Sequence, residues 1–391
     1  MASLIEKFLS RLKWPLMAGP GAAPLKCPSP SMRPEKGEAL RVGYVLWDYP
    51  TLSQSFVHSE IKWLIGRGVD VQVYYKGPPD KAAVLDYKVE SFLFKDADAL
   101  LGLVRKNRRH LLHSHFAYPT ATRFTWPVAE AAGLPFTVMP HALDIFQYEN
   151  MKQNRLGEMA QSPCCKAFFA YGPFHRDFFV EQGVPADKVI IKPQSFHSST
   201  TDEGFRISER PIRKVVFVGR FVEKKGLTDL VATAKRLTDL DLSFDVYGYG
   251  PVEQEVTKAA EGVPNVRVHI GGLPYEEYMR VVGEADLFFI PCVRARNGDM
   301  DGLPTVIMES ADCGLPVLTT SLSSIPLLME DGVTGFVCAP GDIDCFEEKL
   351  RWLAGKSPSE FKDILVAARR RVREKCDPDV VNRRLLDTWL S

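Results

Sequence analysis

KVVFVGRFVEKKGL, residues 214–227, is a short apolar run that ends in Gly219-Arg220 and leads through Lys224, Lys225 and Gly226 into an amphipathic stretch. Apolar runs of this length followed by helical periodicity read as buried strands feeding helices. The stretch decides the fold because the same rhythm has already run once, from Ala39 onward. There, LRVGYVLW, a helix around 53–67, VDVQVYY, a helix around 97–108, LLHSHF, a helix around 119–132 and PFTVMPH follow one another. After residue 214 it runs again: a helix at 226–238, LSFDVYG, a helix at 252–261, VRVHI, a helix at 275–283, LFFIPC, a helix at 304–313 and PVLTT. Alternating strands and helices predict βαβ units on a parallel sheet. Two runs predict an α/β chain of two Rossmann-like, doubly wound domains facing a central cleft, in which a ligand sits.

The expected organisation is an amphipathic and Pro-rich segment at 1–38, a first domain at 39–200 and a second at 201–365, with the polar stretch SFHSSTTDEGFRISERP at the boundary. A strongly helical stretch at 360–390 is expected to cross back, so that 366–391 joins the first domain. In residues 3–16, SLIEKFLSRLKWPL, Leu4, Ile5, Phe8, Leu9 and Leu12 share one helical face. Such a face suits a membrane surface, and equally a helix docked on its own protein. Length supports two cores, since 391 residues exceed what one usually holds together. The 49 basic and 49 acidic residues cancel, which argues against general nucleic-acid binding. The eight cysteines show no zinc-knuckle spacing and are expected as reduced thiols. No apolar run reaches 18 residues and no signal-peptide core is evident, so the expected location is the cytoplasm, with peripheral contact at the inner face of the membrane through residues 3–16.

In open α/β sheets the ligand lies beyond the carboxyl ends of the strands, so residues just after each strand carry the chemistry. Arg220 and Lys225 are two cations suited to a diphosphate, or two solvated charges at a corner. Asp301-Gly302-Leu303-Pro304 leads into a helix whose first amide hydrogens can face an anion, with Pro304 suited to the first turn and Glu309 suited to ribose hydroxyls. Asp299-Met300-Asp301 also resembles the paired acids that hold a divalent metal on nucleotide-sugars in a different transferase fold, a reading that two doubly wound halves disfavour. His141, directly after an apolar strand, is placed to donate to a sugar hydroxyl or a developing charge, with Asp144 orienting it or binding the acceptor. His113 and His115 fall on one side of a strand and read as core histidines without a catalytic role. Gly248, with Gly250, and Gly272, beside Leu273, permit close approach of backbone to a base or phosphate; tight turns explain them as well.

GRFVEKKG, VYGYGP, GGLPYEEY, ADLFFIPC, DGLPTVIMESADCGLPV and DGVTGFVCAPGD, in that order across residues 214–345, resemble the nucleotide-sugar half of the family 4 retaining glycosyltransferases, which have the GT-B fold. YPTLSQSFVHSEIKWL and LLHSHFAYPTATR resemble a bacterial subgroup that builds exopolysaccharide, capsule or colanic-acid-like glycans, extending the likeness to about residues 41–390. The resemblance implies transfer of a sugar from a nucleoside diphosphate donor to a glycan or lipid-linked acceptor hydroxyl with retention, without a cofactor or a catalytic metal. It implies that Arg220 and Lys225 bind the diphosphate, Glu309 the ribose, and Asp301 with the backbone of Gly302 and Leu303 the transferred sugar. His141 would lie beside that sugar, Leu273 and its glycines would border the base, and the loop Tyr49–Phe56 would border the cleft. The family usually has Glu where this chain has Asp301, and often Ser where it has Cys292. Two other classes compete: a nucleotide-sugar epimerase of the same architecture, and a noncatalytic carbohydrate-binding relative. A dinucleotide dehydrogenase is disfavoured, because the first strand runs into Trp47-Asp48-Tyr49-Pro50 instead of a glycine-rich turn.

Overall fold

The computed structural model describes residues 27, 34 and 37–391, apart from 52–53, 81–84, 199 and 203–204. The amphipathic face at 3–16 and most of the Pro-rich segment lie outside the described residues. The first sheet is built from Arg41–Leu46 (β1), Asp70–Tyr75 (β2), Glu90–Leu93 (β3), Leu111–His115 (β4), Phe136–Met139 (β5), Cys165–Ala170 (β6) and Val189–Ile191 (β7), in the order β3-β2-β1-β4-β5-β6-β7. The second is built from Lys214–Val218 (β8), Ser243–Gly248 (β9), Val266–Ile270 (β10), Leu287–Phe289 (β11), Val317–Thr320 (β12) and Phe336–Cys338 (β13), in the order β10-β9-β8-β11-β12-β13. Every neighbouring pair in both sheets is parallel.

Burial explains which strands the sequence announces. The central strands are covered on both faces, so they read as continuous apolar runs, as in β1 and β4, where nearly every residue is buried. Four strands, β3, β6, β7 and β13, lie outside the expected elements. In β3, ESFL at a sheet edge, no residue is buried, so no apolar pattern marks it. β6 and β7 lie in the stretch between the two rhythms. The expected helix at 119–132 opens as a wide-turn helical segment at Ala117–Thr125 and becomes α-helical only at Trp126–Ala132.

At the C-terminus two helices divide their packing. Lys362–Cys376 lies against the second domain's helix Thr305–Asp312, whereas Pro378–Leu390 lies against Ser55–Gly66 of the first domain. Asp377-Pro378 separates them: proline disfavours continuation of the helix before it and suits the first turn of the next. The Asp377 carboxylate caps that turn by accepting from the amides of Asp379 and Val380. Leu385 and Trp389 then enter the first-domain core, and Trp389 Nε1 donates to Thr137 Oγ1 at 3.0 Å.

The expectation of eight thiols needs correction, because Cys338 and Cys345 form a disulfide with Cα atoms 5.9 Å apart. Cys338 ends β13, and Asp342 caps the next helix by accepting from the Cys345 amide, so a tight strand-to-helix turn brings the pair within bonding reach. The remaining six cysteines are free.

In each sheet the strand order reverses direction beside its first strand, between β1 and β4 and between β8 and β11. Such reversals open a crevice at the carboxyl ends of the strands. The residues after β4, β5, β8 and β11 are therefore the ones that build the site.

Candidate functional site

After β8 the chain leaves the sheet at Gly219, and Glu223–Lys225 makes one tight turn before Gly226, in a left-handed conformation, starts the helix Leu227–Lys235. A side chain at Gly226 would bring a Cβ within 1.7 Å of the Pro291 carbonyl oxygen, so this turn packs directly on the residues that follow β11. That contact brings the lysines to the acids. Lys225 Nζ lies 2.6 Å from Asp301 Oδ2, while Lys224 Nζ lies 3.0 Å from Asp299 Oδ2 and 3.5 Å from Asp301 Oδ1. Burial works against the charge on Asp301, and Lys225 and then Lys224 outweigh it, holding the carboxyl below its ordinary range. Burial likewise opposes the charge on Lys225, and Asp301 more than restores it. Cys292 adds a weak sulfur contact to Asp301 at 3.6 Å, and its thiol is pushed up by burial and by that carboxylate. Lys224 is a residue of functional type that strand-end position alone does not single out, although it stands next to Lys225 in the same motif. Arg220 is exposed at the mouth of this cluster, forms no ion pair among the described residues, and is close enough to Lys225 to act on its charge.

Met300, Gly302 and Leu303 show how this loop is held. The Met300 side chain belongs to the first-domain core, whereas Leu303 belongs to the second. Gly302 sits against the ring of Tyr171, where a Cβ would lie 3.1 Å away. Its carbonyl accepts from the Ser324 amide at 3.2 Å and from Ser323 Oγ at 3.3 Å. Ser324 Oγ in turn meets His175 Nδ1 at 2.7 Å, and the Tyr148 amide donates to the Asn297 carbonyl at 2.9 Å, so the loop is a crossing between domains. Pro304 stands one residue earlier than expected, as the cap, and Thr305 is the first helical residue. Proline offers no side-chain acceptor, which leaves the first amides of the helix without a cap of their own. One turn on, Glu309 Oε2 accepts from the Tyr278 hydroxyl at 2.6 Å. Burial raises the Glu309 pKa and that hydrogen bond offsets part of the rise.

Gly248 has φ +154° and packs against the exit of β8, while Leu273 lies half-buried against the second core and Gly272 is exposed beside the ring of Tyr249. His141, after β5, is buried. Its ring does not point a spare nitrogen at the junction: Nε2 meets His115 Nδ1 at 2.9 Å and Nδ1 meets the Tyr171 hydroxyl. Asp144 does orient His141, through the backbone, accepting from the amides of His141 at 2.9 Å and Ala117 at 2.5 Å. Burial pushes its pKa up to about 7, and Asp299 of the second domain adds to the rise, so acids of the two domains face each other. Tyr171, Ser324 and His175 have no motif in the sequence that marks them; only the fold brings them to this place.

His175 gives the crossing a pH signature. Its ring is fully buried and its pKa is pushed down to about 3 by burial, against a pull upward from the His141 backbone. An unfolded histidine titrates near about 6.5, so between those values the unfolded chain binds the extra proton and acidification removes stability. The melting temperature of the wild type is therefore expected to fall more steeply from about pH 6.5 to about pH 5 than that of His175→Asn. Parallel slopes in calorimetry would take His175 out of the acid response.

Residues 212–356 match the family described as Glycosyl transferases group 1. The amylovoran biosynthesis glycosyltransferase AmsK of Erwinia amylovora is 30% identical over 217 residues, covering 53% of this chain and 52% of that protein. The putative colanic acid biosynthesis glycosyltransferase WcaL of Escherichia coli is 26% identical over 215 residues, covering 52% of each. The chain thus spans about half the length of the curated relatives it matches. Among solved structures, Anabaena Alr3699/HepE in complex with UDP and glucose superposes with a TM-score of 0.74 at 15% identity, over 90% of this chain and 100% of that one. Sucrose-phosphate synthase from Thermosynechococcus elongatus superposes with a TM-score of 0.71 at 13% identity, over 90% and 98%. At these identities the structural likeness speaks for the fold, and the family match speaks for the domain that holds Lys225, Asp301 and Glu309. Residues 212–356 are thus similar to the glycosyl transferases group 1 family, and the chain has a GT-B fold of two Rossmann-like halves.

Proposed function

We propose that the chain transfers a hexosyl group from a nucleoside diphosphate sugar to a hydroxyl of a glycan or lipid-linked glycan, with retention of configuration at the anomeric carbon, in the assembly of a bacterial polysaccharide. The observation that carries this reading is the Lys225–Asp301 contact of 2.6 Å, set beside an uncapped helix start where strand order reverses. A cation, a carboxylate and helix-start amides without a side-chain cap in one place match a phosphate joined to a polyhydroxylated ring.

Departure of the diphosphate is the hard step, because negative charge develops on the leaving oxygen while the sugar becomes cationic. Lys225 and Arg220 neutralise the diphosphate, and the helix start after Gly302 adds its dipole. Asp301 then exchanges Lys225 for sugar hydroxyls, while Lys225 exchanges a carboxylate for a phosphate, so neither charge is left bare. Glu309 takes the ribose, and Gly248, Gly272 and Leu273 border the base. The two lysines, Arg220 and the amides provide the positive charge that departure of the diphosphate needs, and the proposed reaction uses no catalytic metal and no cofactor. Peripheral membrane contact through residues 3–16 belongs to the same reading, because it would bring the site to lipid-linked acceptors.

A panel of UDP- and GDP-sugars tests the reading at the level of binding. One donor is expected to raise the melting temperature by several degrees, since a ligand held only by the folded state must stabilise it. No shift with any nucleoside diphosphate sugar would contradict it. Conversion of that donor without any acceptor would favour an epimerase.

A further inference from the structure

His141 is the inner end of a hydrogen-bonded chain that begins deep in the first domain. Glu60, on the helix Ser55–Gly66, is buried, and its Oε2 receives Lys192 Nζ at 2.5 Å. Its Oε1 accepts from the Tyr44 hydroxyl at 2.7 Å and meets His115 Nε2 at 3.1 Å. Burial opposes ionisation of Glu60, but Lys192 and then His115 override it and keep the carboxyl well below its usual range. An ionised carboxylate only accepts, so His115 Nε2 carries a hydrogen toward it. Burial pushes the His141 pKa well below its ordinary value, and with a single proton on each ring the rest follows link by link. His115 Nδ1 is then an acceptor, and the 2.9 Å contact requires His141 to donate from Nε2. His141 Nδ1 is left as an acceptor, and the Tyr171 hydroxyl donates to it. Tyr171 is the ring against which Gly302 packs, so the chain ends on the turn that carries Asp301.

Glu60, His113 and His115 each place a metal-type ligand atom within 4.8 Å of the others. A metal is not what this cluster is built around: the Lys192 ammonium already sits on Glu60 Oε2 and supplies the positive charge. A buried ion pair of this kind contributes little net stability over apolar residues of similar size, so its presence calls for another use, and fixing a unique hydrogen-bond arrangement is one such use.

We propose that Glu60, acting through His115, is a positioning residue that holds His141 as its Nε2–H tautomer and turns the Tyr171 hydroxyl onto His141 Nδ1, thereby setting the wall of the sugar subsite beside Gly302. This rests on the reading of the domain junction as a nucleotide-sugar site.

The test is nitrogen-15 NMR of the full chain with labelled histidines, together with steady-state kinetics. In the wild type both His115 and His141 are expected as Nε2–H forms. In E60Q/K192M, which removes both buried charges together so that neither is stranded, a glutamine amide can donate to His115 Nε2 and reverse every link. The expected result is a His141 resonance pattern shifted to the Nδ1–H form, with kcat lowered about tenfold and the donor KM changed by less than about twofold. Y171F, which removes only the last hydroxyl, is expected to lower kcat while leaving the His141 tautomer as in the wild type. An Nδ1–H His141 in the wild type, an unchanged tautomer in E60Q/K192M, or wild-type kcat in Y171F would overturn the assignment. The tautomers are read without substrate, so failure of the wild type to bind any nucleotide-sugar would strike the proposed function and leave the reading of the chain decided by the spectra.

Discussion

Lys225→Ala is expected to lower kcat about a hundredfold while the protein remains folded, because removal of one preorganised charge-stabilising group costs on the order of 3 kcal/mol in the transition state. Folding should survive because Asp301 is not abandoned: Lys224 stands 3.5 Å from its other oxygen and keeps the carboxylate paired. Lys225 is also only partly accessible, enclosed by Asp301 and Cys292, so its charge acts with little screening by water. Arg220→Ala is expected to act in the same direction with a smaller effect, since that guanidinium is exposed and weakened by solvent. Initial rates at saturating donor and acceptor measure both. Turnover equal to wild type in Lys225→Ala, with an unaltered melting curve, would contradict the assignment of the diphosphate to this corner.

Gly248→Ala is expected to destabilise the second domain by about 3 kcal/mol and to abolish the donor-induced rise in melting temperature. Two effects add. At φ +154° an L-residue is strained, and the new Cβ would lie 1.9 Å from the Gly219 carbonyl oxygen and 2.7 Å from the Phe221 ring. The oxygen belongs to backbone and has no side-chain torsion with which to retreat. Relief must therefore come from separating the exits of β8 and β9, which carries Gly219 and Arg220 away from the lysines and acids. Gly262→Ala is the control for strain alone: Gly262 also has positive φ, at +74°, yet a Cβ there meets nothing within 4 Å. Equal melting temperatures and equal donor responses in the two variants would refute the close approach as the reason for glycine at 248.

The contrast between these two glycines also marks what can be read from residues in order and what cannot. Strands such as LRVGYVLW and KVVFVGR announce themselves because both sheet faces are covered, and a short continuous apolar run bounded by turn residues is what such a strand requires. ESFL at the sheet edge has no such cover and no pattern. Arg220, just past the end of β8, is legible for the same topological reason, whereas Lys225, Asp301 and Glu309 are legible from the glycine-containing turns and helix starts that carry them. Their partners are not. Glu60 meets His115 across 55 positions and Lys192 across 132, and His175 meets Ser324 across 149. Nothing local in the helix Ser55–Gly66 distinguishes a buried Glu60 from a solvated one until the first sheet is closed around it. His113 and His115 share a side of β4, as alternation requires, but alternation along a strand gives no sign that one of them touches His141. Cys338 and Cys345 are separated by seven positions that only the turn into the next helix folds together.

The proposed donor binding rests on one electrostatic arrangement, and a crystal structure of the chain with a bound nucleoside diphosphate tests it most directly. The predicted result is a diphosphate with oxygens in hydrogen-bond contact with Lys225 Nζ and the Arg220 guanidinium, ribose hydroxyls on Glu309, and the base against the turn of Gly272 and Leu273. A diphosphate bound elsewhere on the molecule, with Lys225 still on Asp301 and Arg220 in solvent, would contradict it.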